Sequence, residues 1–138
     1  HRDLHLSIRR QRQMCIRDSM YSYSHIDSTI AILRDGLVLL NPARVNDNNM
    51  PKLFKNWDKI YAPPMVDIGY KEVLRASEWV GINLLSLDEN TIIVDSRQKE
   101  LIKKLNNYNI EALDCKLRHS RTLGGSFHCV TADMIREC

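Results

Sequence analysis

The sequence predicts an α/β fold, and three observations carry that prediction. Short runs of Leu, Ile and Val recur between turn-forming residues, as buried strands do. Leu101, Ile102, Leu105 and Tyr108 keep helical spacing on one stripe, with Lys103, Lys104 and Asn106 off it. From residue 20 onward the order reads strand, strand, helix, hairpin, helix, strand, loop, an alternation typical of mixed folds. Two βαβ-like units are compatible with a structural repeat, although no short sequence repeat is visible.

Residues 28–41 hold the first two strands, TIAIL and GLVLLN, split by a turn at residues 34–36. His25 and Asp27 are two apart, so on a strand both would face one side. Pro42 closes the second strand because proline has no N–H for a ladder. NDNNM, residues 46–50, is a polar loop. Residues 56–62 read as a short strand stopped by Pro63 and Pro64. Residues 70–80 read as a helix with Val73, Leu74, Ser77, Trp79 and Val80 near one face. Residues 83–88 and 91–95 form a hairpin turning at Glu89 and Asn90.

Asp95 is the expected N-cap of the next helix, with Gln98 three residues on as in a capping box. Asn109 suits that helix's C-terminal end. Residues 110–117 are a last strand, which delivers the chain into RHSRTLGGSFHC, residues 118–129.

The chain has 138 residues, 43 % of them hydrophobic, which suffices for one core and argues against disorder. No apolar run approaches the roughly 20 residues of a membrane span, and the N-terminus does not read as a signal peptide. The net charge of +3 comes entirely from residues 1–19, with five Arg and two Asp; the remainder is neutral. A nucleic-acid role would rest on that segment alone. Its stretch MCIRDS, residues 14–19, looks like translated sequencing adapter, so residues 1–19 are set aside as non-native and residues 20–138 taken as the folded unit. Cys15, Cys115, Cys129 and Cys138 show no CxxC pairing, which fits a reducing compartment and a cytoplasmic protein. The chain begins and ends in what reads as mid-fold sequence, as a piece of a larger domain would.

The candidate chemistry centres on Cys129. A lone cysteine is usually a small buried apolar residue, but here His128 is adjacent and two glycines precede it. Gly124 and Gly125 permit positive φ or close backbone approach. Arg118, His119 and Arg121 form a possible cationic shell, which would favour the nucleophilic thiolate. His25 and Asp27, at the mouth of the first strand, are the matching distant partners for a covalent mechanism. Zinc is the rival use of Cys115, His119, His128 and Cys129, yet their spacing matches no compact zinc pattern. LGGSF lacks a phosphate-loop signature.

Three blocks resemble the amidinotransferases in that family's order: HIDSTIAILRDGLVLLNPARV (25–45), ASEWVGINLLSLDENTIIVD (76–95) and RHSRTLGGSFHCVTAD (118–133). The resemblance implies a pentein-type α/β propeller of ββαβ modules, with only its C-terminal part present. It implies transfer of an amidino group from arginine to an amine acceptor, with Cys129 as nucleophile and His25 as general acid/base. Asp27 would hold the guanidinium or orient His25, Arg44 would bind a substrate carboxylate, and Ser77 would line the pocket. Ser24, beside His25, would lie near the reacting centre. No cofactor, metal, nucleic acid or membrane is implied, and a homodimer of the full-length protein is compatible. Two departures stand out. Ser126 replaces a family glycine, and the family's further upstream acid has no counterpart, so the 138 residues alone are expected to be inactive. The rival readings are a guanidine-hydrolysing relative such as an arginine deiminase, and a non-enzymatic pentein-like binding module.

Overall fold

A computed structural model describes residues 26–68 and 75–132 of the chain. Residues 1–19, set aside above, lie outside them, as do Ser24 and His25. Among the described residues two three-stranded sheets form, each with its strands in chain order: β1 (Ile30–Arg34), β2 (Leu37–Leu40) and β3 (Asp58–Tyr61), then β4 (Leu85–Ser86), β5 (Thr91–Asp95) and β6 (Glu111–Cys115). In both sheets the first pair is antiparallel and the second parallel. The structural repeat allowed by the sequence is therefore present, as two modules of one topology.

Both hairpins follow from local chemistry. Gly36 takes φ +75° between β1 and β2, a conformation that costs other residues a Cβ clash. β2 is buried along its whole length. Leu37 and Leu39 face a core shared with the second module, while Val38 and Leu40 face a separate cluster with Val45, Met50 and Phe54. Burial on both faces explains why LVLL is continuous rather than alternating. At about 1.5–3 kcal/mol for each fully buried aliphatic side chain, this strand is a principal source of stability.

The shared core adds Ile92 and Val94 of β5 to Leu101, Leu105 and Ile110. Leu101 and Leu105 belong to α1 (Lys99–Asn106), which crosses from β5 to the parallel β6 and ends before Asn109 at φ 57°. The helical stripe is thus as expected, with Tyr108 at its exposed end. Arg34 ties the modules together by donating to the carbonyls of Glu89 and Tyr108, at 3.3 and 3.1 Å.

Three sequence expectations fail. Asp27 is not on a strand: it lies in a 3₁₀ turn, Ile26–Ser28, before β1 begins. The helix expected over 70–80 falls partly outside the described residues. What is described is a 3₁₀ turn at Glu78–Ile82, where Gly81 packs too tightly for a side chain, a Cβ there meeting Met65 Sδ at 2.7 Å. Asp95 is not a helix cap. Its carboxylate accepts from the Arg97 N–H at 2.9 Å and the Arg97 guanidinium at 2.8 and 2.6 Å, and Gln98 holds the N-cap position. The Gln98 side chain instead bonds both N–H and C=O of Val66, at 2.9 and 2.8 Å. Among the described residues no helix is long and apolar enough to cross a membrane.

Candidate active site

The loop after β6 is fixed before it reaches the cysteine. Leu117 donates its N–H to Asp95 at 3.3 Å, and its carbonyl accepts from Arg97 at 2.9 Å. One helical turn, α2 (Ser120–Leu123), then stops at Gly124, which adopts φ +82°. Gly125 allows a close approach: a Cβ there would lie 2.7 Å from the Cys129 Cβ. The two glycines therefore act in different ways, one through its dihedral and one through the space it leaves. Ser126 is buried and is not in the left-handed region, so its departure from glycine costs no φ strain. A turn over 127–130, closed by Val130 N–H to the Ser126 carbonyl at 3.1 Å, presents the thiol.

Cys129 Sγ donates to Asp27 Oδ2 at 3.1 Å and accepts from Asn83 Nδ2 at 3.0 Å. Its backbone N–H also donates to Asn83 Oδ1, at 3.2 Å. His128 Nδ1 stands 3.2 Å from the same Asp27 oxygen. The extended geometry that would send His128 and Cys129 to opposite sides is absent; the turn aims both at one carboxylate. A cavity of about 260 Å³ opens beside them, lined by Asp27, Ser28, Arg75, Ser77, Asn83 and Cys129, with Val80 and Leu123 as apolar wall.

The structure thus brings Asp27, Ser77 and Cys129 together. Arg44 is behind the cavity wall rather than on it, donating to Ser28 Oγ at 3.0 Å, Thr29 Oγ1 at 2.9 Å and Ser77 Oγ at 3.4 Å. Burial pulls its pKa down, and no carboxylate faces it among these partners. Its loop is pinned by Asn41, whose amide donates to the Ser28 carbonyl and whose Oδ1 accepts from Ala43 N–H.

The cationic shell does not form around the sulfur. Arg121 is buried, ion-pairs with Asp67 and donates to the Ala76 carbonyl at 3.1 Å. Arg118 and His119 are exposed and do not line the cavity. Cys129 as a residue is exposed, yet its partly desolvated thiol is pushed up from its ordinary value, first by that desolvation, then by the hydrogen bond and charge of Asp27; Asn83 and the Ser126 backbone pull the other way. Sequence reasoning missed Asn83 and Arg75. Asn83 ends the SEWVGIN block just before a β-rich run, the place that Asp27 occupies before β1, and that parallel was the available signal. Among the described residues no group of three or more His, Cys, Asp or Glu is placed to hold a metal ion.

No family model matches the chain. It is 48 % identical over 118 residues to inosamine-phosphate amidinotransferase 1 of Streptomyces glaucescens, covering 85 % of this chain and 34 % of that protein. It is 37 % identical over 113 residues to the L-arginine:L-lysine amidinotransferase of Pseudomonas savastanoi pv. phaseolicola, covering 82 % and 31 %. The solved structure of the Streptomyces griseus inosamine-phosphate amidinotransferase superposes with a TM-score of 0.81 at 47 % identity, over 85 % of this chain and 34 % of that one. The chain spans about a third of the length of these relatives, and over that span it has the pentein-type α/β fold that its sequence led us to expect.

Proposed function

We propose that this chain, a homologue of the amidinotransferases, carries the nucleophilic part of a site that moves the amidino group of L-arginine to an amine through an amidino–cysteine at Cys129. The observation that carries the reading is the Cys129 thiol held 3.1 Å from the Asp27 carboxylate at a cavity wall, in a chain with these relatives.

The residue types suit the chemistry. A guanidinium is a planar cation that a carboxylate grips through paired hydrogen bonds, and Asp27 offers one beside the sulfur. Without substrate, Asp27 helps keep the thiol protonated. A guanidinium paired with Asp27 neutralises that charge and places positive charge next to sulfur, so donor binding favours the thiolate. Attack on the central carbon forms the S–C bond. Collapse of the adduct breaks the C–N bond to the ornithine side-chain nitrogen, which leaves with an added proton. His25 is the assigned proton donor. An incoming amine then attacks the same carbon and gives up a proton, and the C–S bond breaks to restore the thiolate. Arg44, with the Ser28 and Ser77 hydroxyls in front of it, attracts the donor's carboxylate. No step needs a metal or cofactor.

The test is incubation of the native-length protein with L-arginine in the absence of amine. The expected result is one amidino group on the Cys129 peptide by mass spectrometry, with a matching burst of ornithine, and none with Cys129→Ala. Sustained ornithine release should need an added amine. Citrulline formation would instead make this a hydrolase, and an unmodified Cys129 would sink the reading.

A further inference from the structure

We propose that Arg75 recognises an anionic group, phosphate or carboxylate, on the amine acceptor; this rests on the amidinotransferase reading above. Arg75 lines the same cavity as Cys129. The other arginines near the site are already engaged: Arg44 with three hydroxyls, Arg97 with Asp95, Arg121 with Asp67. Among the described residues, the Arg75 guanidinium has neither a carboxylate partner nor a hydrogen-bond acceptor.

An exposed arginine is ordinarily a solvated surface group, but two features set this one apart. The first is its anchorage. Arg75 and Ala76 both donate their backbone N–H to the Arg121 carbonyl, at 2.9 and 3.2 Å, so the cavity wall is bound to the cysteine loop itself. A Cβ on Gly124 would stand 3.6 Å from the Arg75 Cβ, and one on Gly125 would stand 2.7 Å from the Cys129 Cβ. Consecutive glycines therefore lie against the two residues, and both residues line one cavity.

The second feature is charge. Among the described residues, Asp27 is the one carboxylate in the cavity lining. After the first half-reaction Cys129 carries a cationic amidino group, with Arg75 on the wall and Arg44 behind it. On this part of the cavity, positive groups then outnumber the single carboxylate. There a second cation is repelled, whereas an amine bearing an anion is drawn in and oriented. Arg44 and the hydroxyls before it serve the donor's carboxylate, which leaves Arg75 for the acceptor.

The experiment compares phosphoethanolamine with ethanolamine as acceptors for the native-length protein. The quantity read is the ratio of their kcat/KM values. Arg75→Gln should lower the preference for the phosphorylated amine by about 10- to 100-fold, the range expected when one charge-assisted hydrogen-bonding partner is lost. Arg75→Lys should restore part of it, and added salt should erode it in the unsubstituted protein. A ratio that does not move, or an equal loss with both amines, overturns the proposal. An unmodified Cys129 after arginine treatment would instead defeat the underlying reading. The role of Arg75 is then judged by equilibrium binding of the same two amines, where an unchanged affinity ratio in Arg75→Gln again overturns it.

Discussion

The two modules share one topology and differ in what joins their second strand to their third. In the second module the crossover is α1, whose Leu101 and Leu105 are fully buried in the shared core. In the first it is a loop over residues 41–57 with a single 3₁₀ turn at Lys52–Phe54. That loop is also held: Asn41 bonds the Ser28 carbonyl and the Ala43 N–H, and Phe54 packs edge-on against Trp57 with centroids 5.1 Å apart. It also carries Arg44, which backs the cavity wall by donating to the Ser28 and Ser77 hydroxyls, although neither crossover lines the cavity itself. The same connection fills the shared core in one module and backs the cavity wall in the other. Once a parallel crossover has spanned its sheet, its remaining backbone is free to take another task.

The largest expected effect tests the packing half of this contrast. Leu101→Ala removes a fully buried side chain from the shared core and should cost about 2–5 kcal/mol in denaturant unfolding of the native-length protein. Its amidination rate per folded molecule should stay near the unsubstituted value. A rate that collapses while the protein remains folded would show that α1 supports the site directly.

A somewhat smaller effect concerns Asp95 and Arg97, which join the end of β5 to the loop leading to Cys129. Burial raises the Asp95 carboxyl, but the Arg97 side chain, backbone N–H and charge, with the Leu117 N–H, outweigh it and hold the carboxyl below its ordinary range. The sign follows: the folded pKa is depressed, so the stabilisation is complete above the unfolded Asp value of about 3.9 and is lost as pH falls below it through the folded value. Arg97→Met should destabilise by about 1.5–3 kcal/mol at neutral pH. The gap to the unsubstituted protein should narrow as unfolding is measured at successively lower pH. A gap independent of pH would assign the loss to packing alone.

Asn41→Ala probes the loop crossover. It leaves the Ser28 carbonyl and the Ala43 N–H without their side-chain partner and should cost about 1–3 kcal/mol. Unlike Leu101→Ala, it should also raise KM for arginine, because Arg44 follows in the same loop. An unchanged KM would separate Arg44 from donor binding.

The contrast between modules also explains what the sequence made legible. β1, β2 and β5 were visible because each carries a dense apolar run between turn residues, β3 because its alternating run stops at Pro63 and Pro64, and α1 because Leu101 and Leu105 keep a helical spacing. The segment before β4 was read as part of a helix because Trp79 and Val80 supply helical-looking spacing, while the tight contact at Gly81 is tertiary and invisible in one dimension. Asp95 looked like a cap because Asp, with Gln three residues on, matches a capping box. The intervening Arg97 captured both carboxylate oxygens instead. At the site, Cys129 and Asp27 were readable from the motif blocks. The supposed cationic shell was not, because a pairing between Arg121 and Asp67, 54 positions apart, has no local signature.

The finest test returns to the equivalent positions of the two modules. Asp27 stands before β1 and Asn83 before β4, and both reach the sulfur of Cys129. They act on it in opposite senses. Burial is the chief cause of the raised thiol pKa; Asp27 adds to it by accepting the S–H and repelling the thiolate, and Asn83 offsets it by donating to sulfur. The thiolate is the species that iodoacetamide alkylates, so the pH profile of alkylation reports the balance. Asp27→Asn should move the midpoint of the Cys129 profile to lower pH and speed alkylation at neutral pH. Asn83→Ala should remove the opposing bond and move the midpoint to higher pH. Shifts in the same direction would mean that both substitutions act by admitting water to the sulfur, since lost burial lowers a thiol pKa whichever wall is opened. Opposite shifts would show that the modules supply a carboxylate and an amide at matching positions, with their balance governing how readily Cys129 loses its proton.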